Sequence, residues 1–288
     1  MRNGEATDPI LPLDLVERVL EKLGLRGRPS LDLAGLNAVM AAVCGAIPFD
    51  NIRKRIWFER IRKGPLPGGD PTDFFESWLA HGTAGTCWPS NGAMHALLVS
   101  LGFPARRGAG GMMVTPEEDT NHGTVLVALD GVNYLADLNL GSFKALPLVP
   151  GKSDSTGEDI HGIRAAPFED RFEVIWYMGH SRKTPLTFRI QPEHDGASHA
   201  FFLSRYERTK QVSPFNQVLY ITRHFSTSIL ALGGMTKFAV SADGSMAATE
   251  IDAAERMRIL VEELGISEEM ARKLPDDVEE GTSLVDLT

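Results

Sequence analysis

The dipeptide Asp130-Gly131 is the sequence feature that most restricts how this chain folds. It separates two apolar segments, Thr124–Leu129 and Val132–Leu138, that read as strands. A two-residue loop of this kind joins antiparallel strands in a hairpin, and its length fixes the register of the two strands. The last residue of the first strand is therefore expected to face the first residue of the second.

The register of this hairpin selects one histidine. It places Asp137 opposite Thr124, and His122 lies two residues earlier on the same face of the sheet. Such diagonal neighbours are about 7–8 Å apart at the backbone, within side-chain reach. A carboxylate beside an imidazole is the base-and-orienter arrangement of a nucleophilic triad. Alternatively, His122 caps a strand and Asp137 is a solvated strand residue, but Leu135 and Leu138 form apolar surroundings that disfavour an unpartnered carboxylate.

Cys87 is the candidate nucleophile. It follows Gly85-Thr86 and precedes Trp88-Pro89 and an apolar run with helical spacing, so a helix is expected to begin at or near it. The partial positive charge of a helix N-terminus favours thiolate over thiol, and its free backbone N–H groups suit an oxyanion hole. The alternative is an inert buried cysteine. Cys44 lies inside an apolar helical segment and is predicted to be a core residue.

The pattern of apolar residues changes from helices to strands along the chain. Helices are predicted over 13–23, 31–44, 73–79, 88–101 and 253–264. Further strands are predicted over 173–178, 186–191, 199–205, 217–224 and 235–240. The glycine-rich segment Gly108–Gly111 is interpreted as a strand start or a bulge, because no lysine or nucleotide-binding context follows it.

Composition restricts the class of protein. The formal net charge of -9 argues against non-specific nucleic-acid binding, which requires a basic surface. The two cysteines form no disulfide framework, so a cytoplasmic location is expected. No signal peptide or membrane span is predicted, and the sequence contains no C-x-x-C or H-E-x-x-H metal motif.

The order Cys87, His122, Asp137 resembles the arylamine N-acetyltransferase family. Four segments add to this resemblance along most of the chain. They are Ile47–Ile52, which resembles the family's I-P-F-E-N-L; Cys87-x-x-x-Asn91, which resembles its C-x-E-x-N; Asp137–Gly141, which resembles its D-V-G-F-G; and Ser213–Asn216, which resembles a later motif.

The resemblance implies an α+β fold with three parts. These are an N-terminal helical bundle over residues 1–86, a triad-bearing helix with a central antiparallel β-barrel over 87–205, and a C-terminal α/β lid over 206–288. It also implies a ping-pong reaction in which an acyl thioester acylates Cys87 and an acceptor then removes the acyl group, with His122 and Asp137 completing the catalytic triad. The implied substrate-binding residues are Phe49, Trp88, Asn139 and Phe215.

The resemblance further implies no permanently bound cofactor or metal. The expected co-substrate is an acyl thioester of CoA or of a phosphopantetheine carrier, which makes an acyl or peptidyl carrier protein a candidate partner.

Three positions depart from the family pattern around the expected acyl pocket. Thr83 replaces an arginine, Pro89 replaces a glutamate, and Asn139 replaces a glycine and is expected opposite His122 in the hairpin register. The resulting hypothesis is a specialised enzyme that releases an acyl chain in natural-product biosynthesis, by amide formation or Dieckmann cyclisation. An acetyl-CoA-dependent arylamine N-acetyltransferase and a non-catalytic binding protein on the same fold are the alternatives.

Overall fold

The computed structural model describes residues 8–113, 120–177 and 185–277 of the chain. Its α-helices are α1 (Leu13–Lys22), α2 (Leu33–Ala46), α3 (Ile52–Ile56), α4 (Pro71–His81), α5 (Cys87–Leu101), α6 (His199–Arg208), α7 (Ala253–Arg258) and α8 (Glu268–Lys273). Its strands are β1 (Phe49–Asp50), β2 (Ala105–Met112), β3 (His122–Leu129), β4 (Val132–Leu135), β5 (Leu146–Leu148), β6 (Asp154–Ser155), β7 (Arg164–Phe168), β8 (Arg171–Trp176), β9 (Leu186–Ile190), β10 (Tyr220–Phe225), β11 (Ser228–Gly233), β12 (Thr236–Val240) and β13 (Met246–Glu250).

The N-terminal helices form where the sequence predicts them and share one apolar core. The Asp32 side chain accepts a hydrogen bond from the Gly35 N–H and caps α2, and the Asp70 side chain caps α4 in the same way. Both helices pack with α1 and α5 in one cluster that also contains the inner face of β3. Cys44 is 2% exposed in this cluster, which confirms that it is a core residue.

The hairpin around Asp130-Gly131 has the predicted register. Leu129 pairs with Val132, and both loop residues have positive φ angles, of 48° and 78°. The predicted extension of the second strand to Leu138 is wrong, because β4 ends at Leu135. The Asp137 carboxylate accepts the N–H of Asn139 at 2.9 Å and turns the backbone into a short 3₁₀ helix, so Asn139 is not a strand residue opposite His122.

An eight-stranded antiparallel sheet forms the centre of the molecule, in the order β5-β4-β3-β2-β9-β8-β7-β6. The edge strand β5 lies against β6 and β7 at the opposite edge, so the sheet nearly closes into a barrel. The glycine-rich segment Gly108–Gly111 lies inside β2, which pairs with β3 on one side and β9 on the other. Helices at both ends of the chain and this central sheet confirm the predicted α+β fold.

A second antiparallel sheet joins the two ends of the chain. Its order is β1-β10-β11-β12-β13, so the short strand β1 from the N-terminal half pairs with β10 from the C-terminal third. The apolar face of this sheet packs with α3, α8 and the segment 259–266. This pairing brings Phe49 and Asp50 beside the chain that follows α6.

The strand predicted over 199–205 is wrong, because this segment is the helix α6. The Ser198 hydroxyl accepts the N–H of Phe201 at 3.1 Å and caps the helix. Phe202 and Tyr206, four residues apart, are both 2% exposed on its buried face. The predicted boundary between residues 205 and 206 falls inside this helix, and the three domain ranges remain predictions.

Two further sequence expectations concern a strand and a membrane span. The strand predicted over 173–178 forms as β8 up to Trp176, and Met178 lies outside the described residues. Across 8–113, 120–177 and 185–277, no helix combines the length and apolar character needed to cross a membrane.

We predict that Gly110→Ala destabilises the barrel. A Cβ at this position would lie 2.0 Å from the Arg189 carbonyl oxygen of β9, so the two strands must separate. We expect the free energy of unfolding to fall by at least about 2 kcal/mol in urea denaturation. Gly92→Ala in α5 is the control, since its Cβ would meet Phe202 at an ordinary 3.8 Å. Equal stability of both variants would contradict this account of the close approach between β2 and β9.

Candidate active site

Cys87 is the first residue of α5 and is partly exposed. The first intrahelical hydrogen bond runs from the Ser90 N–H to the Thr86 carbonyl at 3.1 Å. The N–H groups of Cys87 and Trp88 are therefore not required by the helix, and Pro89 has none. The start of α5 thus presents two backbone donors beside the thiol.

The loop before Cys87 is held by a buried carboxylate. Asp50 is 1% exposed, and its two oxygens accept the N–H groups of Ala84 at 2.6 Å and of Ile52 at 2.9 Å. Burial raises the pKa of Asp50 to about 6, although these two hydrogen bonds act in the opposite direction. The Asp50 N–H also donates to the Gly85 carbonyl at 3.2 Å. Strand β1 thereby fixes the approach to the thiol.

His122 lies at the first position of β3, against Asp137. Its Nε2 atom is 2.7 Å from the Asp137 Oδ2 atom, and the two side chains are 2% and 0% exposed. The charge of the Cys87 side chain also acts on this imidazole, and the Cys87 Sγ atom lies 3.8 Å from the carbonyl oxygen of the neighbouring Asn121. Because Nε2 faces the carboxylate, Nδ1 is the ring nitrogen left for the thiol.

Burial and charge act in opposite directions on this imidazole. Burial lowers the pKa of His122, but the Asp137 charge and hydrogen bond, together with Cys87, outweigh it and raise the pKa to about 10. Burial has the opposite effect on Asp137 and raises its pKa. The charge and hydrogen bond of His122 and the hydrogen bond from Asn91 outweigh burial, and the pKa of Asp137 lies below its ordinary value of 3.8. At neutral pH this pair is an imidazolium and a carboxylate.

Asn91 completes the surroundings of Asp137. Its Nδ2 atom donates to Asp137 Oδ1 at 2.9 Å and to the Gly123 carbonyl at 2.6 Å, and its Oδ1 atom accepts the Leu138 N–H at 3.0 Å. One amide one turn into α5 thus ties that helix to β3 and to the turn after β4. A buried carboxylate is tolerated here because both its oxygens are hydrogen-bonded.

The four residues predicted to bind substrate lie in three different places. Phe49 and Phe215 are in edge-to-face contact at 5.1 Å between ring centroids, on the β1 side of the site. The Asn139 Nδ2 atom donates to the Cys87 carbonyl at 3.4 Å. Trp88 is 2% exposed and packs on Phe202, so it supports α5 from the core. Substrate binding by these four residues remains a prediction.

Sequence reasoning assigned no role to three residues that build the site, Asp50, Asn51 and Asn91, although two of the family-like segments contain them. Asn51 donates from Nδ2 to the Phe215 carbonyl at 3.0 Å and accepts the Tyr220 N–H at 2.9 Å. The available signal was an Asp-Asn pair inside an apolar segment, and an asparagine one turn into the predicted helix. Within the described part of the chain, no cluster of three or more His, Cys, Asp or Glu side chains is arranged to hold a metal.

A protein-family model matches most of this chain, and two curated proteins match part of it. A family model described as N-acetyltransferase matches residues 32–272. The arylamine N-acetyltransferase of Mycolicibacterium smegmatis is 29% identical over 129 residues, which is 42% of this chain and 45% of that protein. The proansamycin X synthase of Amycolatopsis mediterranei (strain S699) is 29% identical over 126 residues, which is 43% of this chain and 47% of that protein. These alignments span less than half the length of either curated relative.

Solved structures of arylamine N-acetyltransferases share the fold of this chain. The Mycobacterium marinum arylamine N-acetyltransferase in complex with CoA matches with a TM-score of 0.74 and 16% identity, covering 90% of this chain and 98% of that one. At this level of identity the match shows a common fold.

We predict that Asp137→Asn lowers the pKa of His122 from about 10 to below its ordinary value of 6.5, because burial is then weakly opposed. NMR titration of the histidine ring carbons measures this pKa. Asp130→Asn, at the exposed hairpin turn, is the control and should leave it unchanged.

The same pair makes stability depend on pH. The raised pKa of His122 stabilises the folded state fully below pH 6.5, and this contribution is lost as pH rises through about 10. The lowered pKa of Asp137 stabilises it above pH 3.8, and this is lost as pH falls through the folded value. The difference in free energy of unfolding between the wild-type protein and Asp137→Asn should therefore be largest between pH 3.8 and pH 6.5. An advantage that stays constant from pH 6.5 to 10 would contradict the pairing.

We predict that Asn91→Ala destabilises the protein by about 3 kcal/mol, because it leaves a buried carboxylate oxygen and two buried backbone groups short of partners. Denaturant unfolding measures the change, and the exposed Asn133→Ala in β4 is the control. A loss no larger than that of Asn133→Ala would refute the tie between α5 and Asp137.

Proposed function

We propose, from the premise that this chain belongs to the arylamine N-acetyltransferase family, that it transfers acyl groups through a thioester on Cys87. The observation that carries the proposal is the 2.7 Å hydrogen bond between His122 Nε2 and Asp137 Oδ2, fully buried beside a partly exposed thiol. Asp137 fixes the imidazole orientation, and His122 acts on Cys87 through Nδ1.

In the first half-reaction, the Cys87 thiolate attacks the carbonyl carbon of an acyl thioester. The negative charge moves to the carbonyl oxygen, and the N–H groups of Cys87 and Trp88 are the donors available to stabilise it. The C–S bond of the donor then breaks, and the His122 imidazolium protonates the departing thiolate. The products are the acyl-Cys87 thioester, a free donor thiol and a neutral His122.

In the second half-reaction, the acceptor attacks acyl-Cys87 while neutral His122 removes its proton. The C–S bond to Cys87 breaks as the new bond to the acceptor forms, and the imidazolium and thiolate are restored. An amine acceptor gives an amide. A carbon nucleophile within the acyl chain gives a ring by Dieckmann cyclisation, with the same proton transfer to His122.

The proposed donor is an acyl thioester of CoA or of a carrier-bound phosphopantetheine arm. CoA is the ligand named for the Mycobacterium marinum structure of the same fold. A carrier protein presents the same pantetheine thioester, so the reaction at Cys87 is chemically identical for the two donors. No resident cofactor or metal takes part in either half-reaction.

The proposed role is release of a specialised acyl chain in natural-product biosynthesis, by amide formation or Dieckmann cyclisation. Two observations favour it. The chain resembles a proansamycin X synthase as strongly as it resembles an arylamine N-acetyltransferase. Asn139 places a polar amide on the Cys87 carbonyl, where the family pattern has a glycine, and its buried Oδ1 atom has no hydrogen-bond partner among the described residues.

An acetyl-CoA-dependent arylamine N-acetyltransferase is the second candidate, favoured by the equal resemblance to the Mycolicibacterium smegmatis enzyme. Incubation with acetyl-CoA followed by intact-protein mass spectrometry separates the two. Rapid, stoichiometric gain of one acetyl group on Cys87 supports the second candidate. Acylation by a long β-ketoacyl thioester, without acetylation, supports chain release.

We predict that Cys87→Ala abolishes acylation and turnover and leaves the fold intact, because the nucleophile is lost. Turnover, the protein mass after thioester addition and circular dichroism measure these three properties. The control is Cys44→Ala, because Cys44 is buried and its pKa is raised by burial, so that variant should still be acylated. Full turnover by Cys87→Ala would end the proposal of a Cys87 thioester and favour a non-catalytic role for the thiol.

A further inference from the structure

Helix α3 carries three consecutive basic residues of which the middle one has no carboxylate partner. Arg53 pairs with Asp73 at 2.8 Å, and Arg55 pairs with Asp277 at 2.6 Å. Lys54 lies between them and is 2% exposed. Across the described ranges, no carboxylate lies within ion-pair distance of its ammonium group. A buried cation without a counterion is costly, so its place in the fold requires a reason.

The protein contacts of Lys54 are weak. Its Nζ atom lies 3.5 Å from the Thr209 carbonyl oxygen, at the limit for a hydrogen bond, and that oxygen already accepts the Asn216 amide at 2.9 Å. The ring of Tyr206 lies 6.0 Å from Nζ. Neither contact replaces the hydration that an ammonium loses on burial.

Lys54 and Cys87 both border the apolar cluster that contains Tyr206. Cys87 packs against this cluster, and the Lys54 Nζ atom lies 6.0 Å from the Tyr206 ring. Burial lowers the pKa of Lys54 to about 7, and the charge of Cys87, the smaller influence, acts in the opposite direction. Burial raises the pKa of Tyr206, and the charge of Cys87 acts on it in the same direction. The lysine therefore belongs to the electrostatic surroundings of the reacting sulfur.

We propose that Lys54 is a specificity-determining residue that selects acyl donors carrying a negatively charged oxygen near the thioester carbonyl; this rests on the proposed function of Cys87. Such an oxygen acts as a counterion for the Lys54 ammonium group, which pairs with no carboxylate of the described residues. The buried Oδ1 atom of Asn216, on the same Thr209 carbonyl, has no partner among the described residues and marks a second incomplete polar group there. An uncharged acyl chain leaves the ammonium unpaired.

The first test uses alkylation of Cys87, which requires no acyl transfer. Iodoacetate and iodoacetamide have similar shapes and differ in charge, so the ratio of their rate constants reports the electrostatic attraction at the sulfur. We expect Lys54→Met to lower this ratio at least about fivefold at neutral pH, the scale of one partly screened charge. Peptide mass spectrometry assigns the product to Cys87, and buried Cys44 serves as the internal reference.

Two variants control the first test. Lys54→Arg keeps the charge and should keep most of the ratio, whereas Lys152→Met removes one exposed lysine and should leave the ratio unchanged. Loss of structure in Lys54→Met would slow or accelerate both reagents together, so the ratio isolates the charge. An unchanged ratio in Lys54→Met, or an equal fall in Lys152→Met, overturns the proposal.

The second test measures acylation of Cys87 by malonyl-CoA and propionyl-CoA, thioesters of similar length that differ in a terminal carboxylate. The wild-type protein should react faster with malonyl-CoA, and Lys54→Met should lose this preference while still accepting propionyl-CoA. No preference in the wild-type protein overturns the substrate class. If neither thioester acylates Cys87 and the alkylation ratio still depends on Lys54, the proposed acyl transfer fails and the role of Lys54 in attracting anions stands.

Discussion

The buried hydrogen bond between His122 and Asp137 is the interaction on which the arrangement of the site depends. It joins the start of β3 to the turn after β4, and Asn91 extends it to α5, the helix that carries Cys87. A carboxylate without solvent survives there because His122, the amide of Asn91 and the N–H of Asn139 all donate to it. The thiol position is therefore fixed through the same set of bonds that satisfies the charge.

The parts of this arrangement that could be predicted from sequence are those set by local chemistry. The two-residue loop Asp130-Gly131 determines the register between β3 and β4, and that register brings His122 near Asp137. Two strand predictions failed because a side chain forms a hydrogen bond with a nearby backbone N–H and changes the local structure. Asp137 accepts the Asn139 N–H and ends the strand, and Ser198 caps a helix where residues 199–205 were predicted to form a strand.

The remaining part of the site depends on partners that are distant in sequence. Asn51 binds the carbonyl of Phe215, 164 residues away, and the N–H of Tyr220, 169 residues away. Strand β1 has only two residues, too few to produce a periodic pattern, and its pairing with β10 is what brings Phe49 to Phe215. No local preference encodes such contacts, so the way these residues join the C-terminal third of the chain to the site is recognisable only in the folded protein.

Some polar groups around Cys87 have their hydrogen-bonding capacity filled by the protein and others do not. The first set holds the geometry of the site, and the second is available to a bound acyl chain. Asp137 and Asn91 have their hydrogen-bonding capacity filled by the protein, as expected of groups that must hold one geometry through a reaction cycle. Asn139, Asn216 and Lys54 have buried polar atoms that are unpartnered among the described residues or weakly bound. Since burial without a partner costs free energy, these positions are where a bound acyl chain has most to complete.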